Sequence, residues 1–127
     1  RELSGGDAAR LPGYIHMKVK FIKYSEYRGL NLTIGNVYEV IGIEADSYRI
    51  ICDKYEPYLY DPDQFETIDA TRPEFWLSRL GENGEPYAYP SVWFHNYFFE
   101  DYFDKVQEKV DSFWIDCERL YGIAKMV

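Results

Sequence analysis

VYEVIGIEADSYRIIC (residues 37–52) is the centre of a segment, residues 17–69, in which strand and turn patterns alternate. Residues 37–43 and 48–52 are rich in β-branched side chains, which favour strands. The polar residues 44–47 between them are typical of a short hairpin connection. The centre of the stretch therefore predicts two antiparallel strands.

The flanking sequence extends this sheet in both directions. Residues 17–21, MKVKF, alternate apolar and basic side chains as a half-buried strand does, and residues 24–31 form a polar loop. After the hairpin, residues 58–60 and 66–68 predict two more short strands. Between these two strands, Asp61 and Pro62 are suited to the cap and first position of a 3₁₀ turn. We therefore expect five short strands.

This order of elements resembles the Src-homology-3-like barrel. Residues 32–40, LTIGNVYEV, are similar to the diverging turn that leads into the second strand of that fold, and residues 60–65, YDPDQF, to its 3₁₀ segment. Short bacterial and phage proteins carry similar segments, for which the resemblance implies a fold but no common activity. Peptide-binding barrels have a tryptophan and a tyrosine where this chain has Ser47-Tyr48 and Phe65, so their ligand preference is not implied.

Residues 70–127 have a different pattern, which predicts a hairpin and helices packed on the barrel. Residues 74–89 contain a strong Asn-Gly turn signal, and residues 91–99 predict a short helix capped by Ser91. Residues 104–121 predict an amphipathic helix with Asp104 as its N-cap. The predicted fold class is α+β, mainly β, with a five-stranded barrel over residues 17–69, a hairpin and a C-terminal amphipathic helix.

Residues 1–16 lack any hydrophobic periodicity and end in His16, directly before Met17. The His-Met dipeptide is what a common cloning junction leaves before a native start, so we interpret residues 1–16 as an expression remnant. His95 is then the only native histidine. Because no secretory signal and no long apolar run occur, the sequence predicts a cytoplasmic protein that does not enter a membrane.

Composition narrows the classes of partner. The chain has 14 basic and 22 acidic residues, a net charge of −8, which argues against direct nucleic-acid binding and permits a basic protein partner. Its 13 tyrosines are too many to bury, and exposed tyrosines are typical of recognition surfaces. Cys52 and Cys117 read as free core residues, with a disulfide as the alternative.

No catalytic or metal-binding motif accompanies these features. His95 lies among aromatic residues and no nucleophile signature surrounds a serine or cysteine, so we expect a structural or interface role for it. Asp61, Asp63 and Glu66 lack the spacing of a calcium loop and favour turn chemistry. We therefore predict no enzyme activity, no cofactor and no metal.

Two groups of residues are candidates for partner binding. An acidic cluster beside aromatic residues near the end of the chain suits a lysine- or arginine-rich partner, or is simply a solvated turn. Tyrosines of the long loop and the fourth strand lie where peptide-binding barrels have one wall of their groove, or pack in the core. The predicted partner-binding residues are Tyr97, Glu100, Asp101, Tyr102, Asp104, Tyr24, Tyr27 and Tyr60.

The sequence thus predicts a non-enzymatic acidic interaction protein. The most concrete form is a bacterial immunity or antitoxin-type inhibitor that binds and blocks a basic partner. One alternative is a phage or mobile-element inhibitor of a host defence enzyme that mimics nucleic acid. The other is a peptide-binding adaptor.

Overall fold

A computed structural model describes residues 16–26, 30–95 and 97–125. They form a small, mostly β domain with an antiparallel sheet and a C-terminal helix. The strands are β1 Lys18–Phe21, β2 Val37–Glu44, β3 Ser47–Ile51, β4 Pro57–Tyr60, β5 Phe65–Asp69, β6 Trp76–Leu80 and β7 Pro86–Pro90. The helices are α1 Phe98–Phe103 and α2 Gln107–Tyr121, and 3₁₀ turns lie at Pro62–Gln64 and Ser91–Trp93.

Strand β2 is the centre of the sheet. The strand order is β4-β3-β2-β1-β5, with β7 paired to β2 and β6 to β7. The start of β2 pairs with β1, and its end pairs with β7 through Ile43 opposite Ala88. The register against β3 shifts between Val40 and Gly42, which bends the strand. The described sheet is therefore open and has seven strands, where the sequence predicted a separate five-stranded barrel and hairpin.

The turn chemistry of the first half is as expected. Asp61 caps the 3₁₀ turn, its Oδ1 accepting the Asp63 N–H at 2.9 Å, and Pro62 occupies the first position. Gly35 has a φ of +91°, which permits the tight turn into β2.

Two clusters of buried side chains hold the domain together. The first is within the strands and includes Val19, Phe21 and Ile50, none of which is exposed. The second joins Ile41 and Ile51 of the sheet to the aromatic residues of both helices. Hydrogen bonds fasten α2 there, because the Tyr121 hydroxyl donates to the Ile41 carbonyl at 2.9 Å and accepts the Trp76 indole N–H at 2.7 Å.

The helical region differs from its prediction in two places. Helix α2 begins at Gln107 after an N-cap at Val106 without a side-chain bond, so Asp104 is not its cap. Asp104 instead ends α1, and its N–H donates to the Glu100 carbonyl. The reason is Lys105, whose φ of +64° interrupts the helical path.

The predicted helix over residues 91–99 is likewise divided. Its first part is the 3₁₀ turn Ser91–Trp93, and its last two residues begin α1. Tyr97, at a φ of +63°, stands between the two parts. Neither helix in the described ranges is long and apolar enough to span a lipid bilayer.

Candidate functional site

A cleft of about 510 Å³ lies where the β6–β7 hairpin meets the end of β2 and the start of α1. The hairpin and β2 contribute polar side chains, and the segment before α1 contributes mainly aromatic ones. The lining residues are Glu44, Arg79, Leu80, Glu82, Tyr87, Tyr89, Trp93, Phe94, His95, Tyr97, Phe98, Phe99 and Glu100.

A buried arginine lies beside this cleft and organises its floor. Arg49, in β3, is only 4% exposed. Its Nε donates to the Tyr89 hydroxyl at 3.0 Å, and its Nη1 to the Pro57 carbonyl at 2.9 Å. Its guanidinium carbon lies 3.9 Å from the centroid of the Phe99 ring. These contacts fix the guanidinium, since a buried charge is tolerated only where it is paired and hydrogen-bonded.

Glu44 completes this network with one of its two oxygens. Arg49 Nη2 and the Tyr89 hydroxyl each donate to Glu44 Oε1 at 2.9 Å. No described residue bonds to Oε2, and the Glu44 side chain is 32% exposed. Burial raises the pKa of the Tyr89 phenol, so it remains a donor at neutral pH. The cleft therefore holds a carboxylate that is fixed through Oε1, while Oε2 accepts no hydrogen bond from a described residue.

Two large hydrophobic side chains are exposed at the rim of the cleft, among charged ones. Leu80 is 75% exposed and Tyr97 is 70% exposed, which places both among the most exposed large hydrophobic side chains. A tyrosine with positive φ is itself uncommon, and such backbone strain clusters at functional sites. Beside them, the Arg79 guanidinium carbon lies 4.5 Å from the centroid of the Phe94 ring, a cation–π contact.

The electrostatics of the cleft favour a cation. Three carboxylates line it, Glu44, Glu82 and Glu100, against the one guanidinium of Arg79. Within the described ranges, neither Glu82 nor Glu100 has an ion-pair partner. The pKa of Tyr87 is raised, first by burial and then by the negative charges of Glu85, Glu44 and Glu100. The charges of separate elements thus converge on one phenol.

The predicted acidic cluster is divided by the structure. Tyr97 and Glu100 line the cleft, whereas Asp101 is half-buried on α1 and Asp104 is exposed at the helix end. Tyr102 requires a correction. It is 1% exposed and its hydroxyl accepts the Trp114 indole N–H at 3.1 Å, so it packs in the core and offers no surface to a partner. Burial raises its pKa to about 12.

Of the second predicted group, the two described tyrosines, Tyr24 and Tyr60, do not share one exposed surface. Tyr24 is exposed, with its hydroxyl donating to the Leu32 carbonyl at 3.2 Å. Tyr60, by contrast, is 2% exposed and its hydroxyl donates to the Leu30 carbonyl at 3.0 Å, so its ring belongs to the core. Tyr27 lies outside the described residues.

The sequence pattern did not single out the residues at the floor of the cleft. Glu44 reads as part of a hairpin turn, and Arg49 as one polar position in an apolar strand. Tyr89 lies forty positions from Arg49 in the chain. The one available signal was a lone arginine in a strand, with apolar neighbours on both sides. Such an arginine predicts either a position at the edge of a sheet or a buried ion pair.

A second cavity, of about 560 Å³, lies at the start of β2 and the end of β3. Both Asp53 oxygens are already used there, accepting the Tyr38 hydroxyl at 2.7 Å and the Thr33 hydroxyl at 2.8 Å. Glu39 also lines it and is in contact with His16 Nδ1. Because its polar groups are largely satisfied within the chain, we regard this cavity as the weaker candidate.

The first cleft therefore carries more carboxylates than cationic side chains. Among the described residues, no three His, Cys, Asp or Glu side chains are placed to hold a metal ion, and Cys52 and Cys117 are buried free thiols. No protein-family model, curated protein or solved structure matches this chain.

Proposed function

We propose that this chain is a non-enzymatic binding protein that docks a basic partner protein over the cleft. The observation that carries the proposal is the combination at one place of exposed apolar side chains, Leu80 and Tyr97, with the carboxylates of Glu82 and Glu100, which form no ion pair with any described residue. An apolar contact with a charged rim is the usual anatomy of a protein interface.

The net charge supports the same kind of partner. At −8, the molecule attracts a basic protein over a Debye length of about 8–10 Å, and such steering raises the rate of encounter. The function is then inhibition by occlusion: the partner's basic surface is covered, as in an immunity or antitoxin-type complex. No chemical step by this chain is required.

The strand order supports a base fold of the Src-homology-3-like kind. A strand, a long loop, two hairpins, a 3₁₀ turn and a short strand follow one another along β1–β5, which is the succession of elements on which the resemblance rests. We propose that β6 and β7 are an addition to that barrel. The cleft is formed by the addition, so the binding site differs from the groove of peptide-binding barrels. The burial of Tyr60 speaks against the adaptor alternative.

The test is affinity capture from the lysate of the source cell with three forms of the protein. One is the wild type and one carries Glu82→Lys and Glu100→Lys at the cleft. The matched control carries Glu66→Lys and Glu118→Lys, two exposed positions on β5 and α2 with the same change in net charge. We expect the wild type and the control to retain one basic protein that the cleft variant loses.

A binding titration with the purified partner then measures how much affinity the cleft variant loses. Loss of two carboxylates from the contact should weaken the complex by at least about tenfold, and the wild-type affinity should fall as salt is added. Equal retention by the cleft variant and the control, or a captured partner that is acidic, would contradict the proposal.

A further inference from the structure

We propose that the cleft takes one arginine side chain of the partner, with the guanidinium held by Glu44 Oε2 and Glu100 and stacked on the Tyr97 ring. This inference rests on the proposed function and names the chemical group that the cleft recognises. It follows from three features of the site that come from different parts of the chain.

The first feature is the fixed carboxylate. Glu44 Oε1 already accepts two hydrogen bonds, from Arg49 and Tyr89, so the side chain cannot turn away when a ligand arrives. Its open oxygen is a preorganised acceptor, and a charge-assisted hydrogen bond to such an acceptor is among the stronger kinds. Binding of a ligand that donates to Oε2 therefore costs little conformational entropy, because the Glu44 side chain is already ordered.

The second feature is the aromatic lining. The face of Phe94 already carries the guanidinium of Arg79, and that of Phe99 carries the guanidinium of Arg49. The same segment thus stacks a planar cation at two positions. Tyr97, 70% exposed, presents a further ring at the rim. Guanidinium stacks on aromatic faces more readily than ammonium does, because it is planar and weakly hydrated.

The third feature is the excess of negative charge over the cations present. Arg49 neutralises Glu44 from beneath, and Arg79 offsets one further carboxylate among those lining the cleft. One negative charge remains. Burial is the largest cause of the raised pKa of the Tyr87 phenol, and the negative charges of Glu85, Glu44 and Glu100 raise it further. One additional cation restores neutrality, which matches a single inserted side chain and not a polycation.

The test uses the full chain, labelled with ¹⁵N, and N-acetyl-arginine amide as the probe in a two-dimensional NMR titration. N-acetyl-citrulline amide is the neutral control of the same shape, and N-acetyl-lysine amide tests the kind of cation. We expect saturable shifts of the amides of Glu44, Leu80 and Tyr97 with arginine. Affinity should be at least about tenfold lower for citrulline and lower also for lysine.

Two variants locate the site. Glu100→Gln, at an exposed position, should weaken arginine binding several-fold, whereas Glu66→Gln, on β5, should leave it unchanged. Equal binding of citrulline, tighter binding of lysine, or shifts confined to other surfaces would overturn the inference. If capture of a basic partner depends on Glu82 and Glu100 but the arginine titration fails, the proposed function stands and this inference alone is wrong.

Discussion

Gly42 is the residue on which the cleft floor most directly depends. A Cβ there would lie 2.1 Å from Tyr89 Cε1, so the ring must move away from β2. We expect Gly42→Ala to lower the free energy of unfolding by about 1–3 kcal/mol, the usual cost of overpacking, and to abolish arginine binding because Tyr89 orders Glu44. Urea denaturation and the NMR titration measure the two effects.

Gly35→Ala is the control for this substitution. Gly35 has a positive φ, and apart from its two chain neighbours no described residue has an atom within 4 Å of the position that a Cβ would take there. Alanine therefore adds backbone strain of about 1 kcal/mol without touching the cleft. If both variants lose arginine binding equally, general loss of stability and not the Tyr89 contact is responsible.

The burial of Glu39, which lies against His16, makes the free energy of unfolding depend on pH. Burial raises the pKa of the Glu39 carboxyl from 4.5 to about 8, with a smaller opposing effect of Lys18. Burial, and then Lys18, lower the pKa of His16. Near pH 7 the Glu39 carboxyl is therefore mostly protonated in the folded protein.

The sign of the pH dependence follows from proton binding. Between pH 6.5 and 8, Glu39 keeps its proton in the folded state only. His16, whose pKa is lowered in the folded state, binds a proton mainly in the unfolded state near pH 6.5 and offsets a smaller part of this difference. The folded state binds more protons, so the free energy of unfolding should fall as pH rises to about 8, by about 1–2 kcal/mol in total. Denaturant titrations at pH 6.5 and 8 should show this fall for the wild type and a smaller one for Glu39→Gln. If the free energy of unfolding changed equally in the wild type and in Glu39→Gln between pH 6.5 and 8, Glu39 would be ionised in the folded state over this range.

Helix α2 has one buried face and one exposed face. Phe113 is fully buried, and its ring centroid lies 4.8 Å from that of Trp93 and 5.2 Å from that of Tyr102. Phe113→Ala should cost about 3–5 kcal/mol of stability. Ile115→Ala, on the same helix at a side chain that is 67% exposed, should change it by no more than about 0.5 kcal/mol. Urea denaturation of both variants is the measurement.

Elements were predictable from sequence where one local pattern decided them. The alternation in residues 17–21 and the Asp61-Pro62 cap both appear in the structure. The start of α2 was not predictable, because Asp104 has the side chain of an N-cap but the preceding helix already uses its N–H. The cleft was not predictable either, since Glu44, Glu82 and Glu100 meet only through the pairing of β7 with β2.

Residues 70–125 cover one face of the sheet that residues 17–69 form, and this cover bears on whether residues 17–69 fold alone. Ile41 and Ile51 of that first segment are buried in the cluster that the helices complete. A chain ending at Asp69 would expose this face to water. We expect it to lack a cooperative thermal transition, whereas residues 16–127 unfold in a single step. A cooperative transition of the short chain would establish an autonomous first domain.

The two thiols have a practical consequence. Cys117 is inaccessible to solvent in the core, where burial raises its pKa to about 12, and Cys52 is 3% exposed at the lining of the second cavity. Because only a thiolate that meets reagent is alkylated, each cysteine reports the rate at which its own surroundings open. Timed iodoacetamide labelling followed by mass spectrometry would then measure the local opening of the two buried clusters separately, without any substitution in the chain.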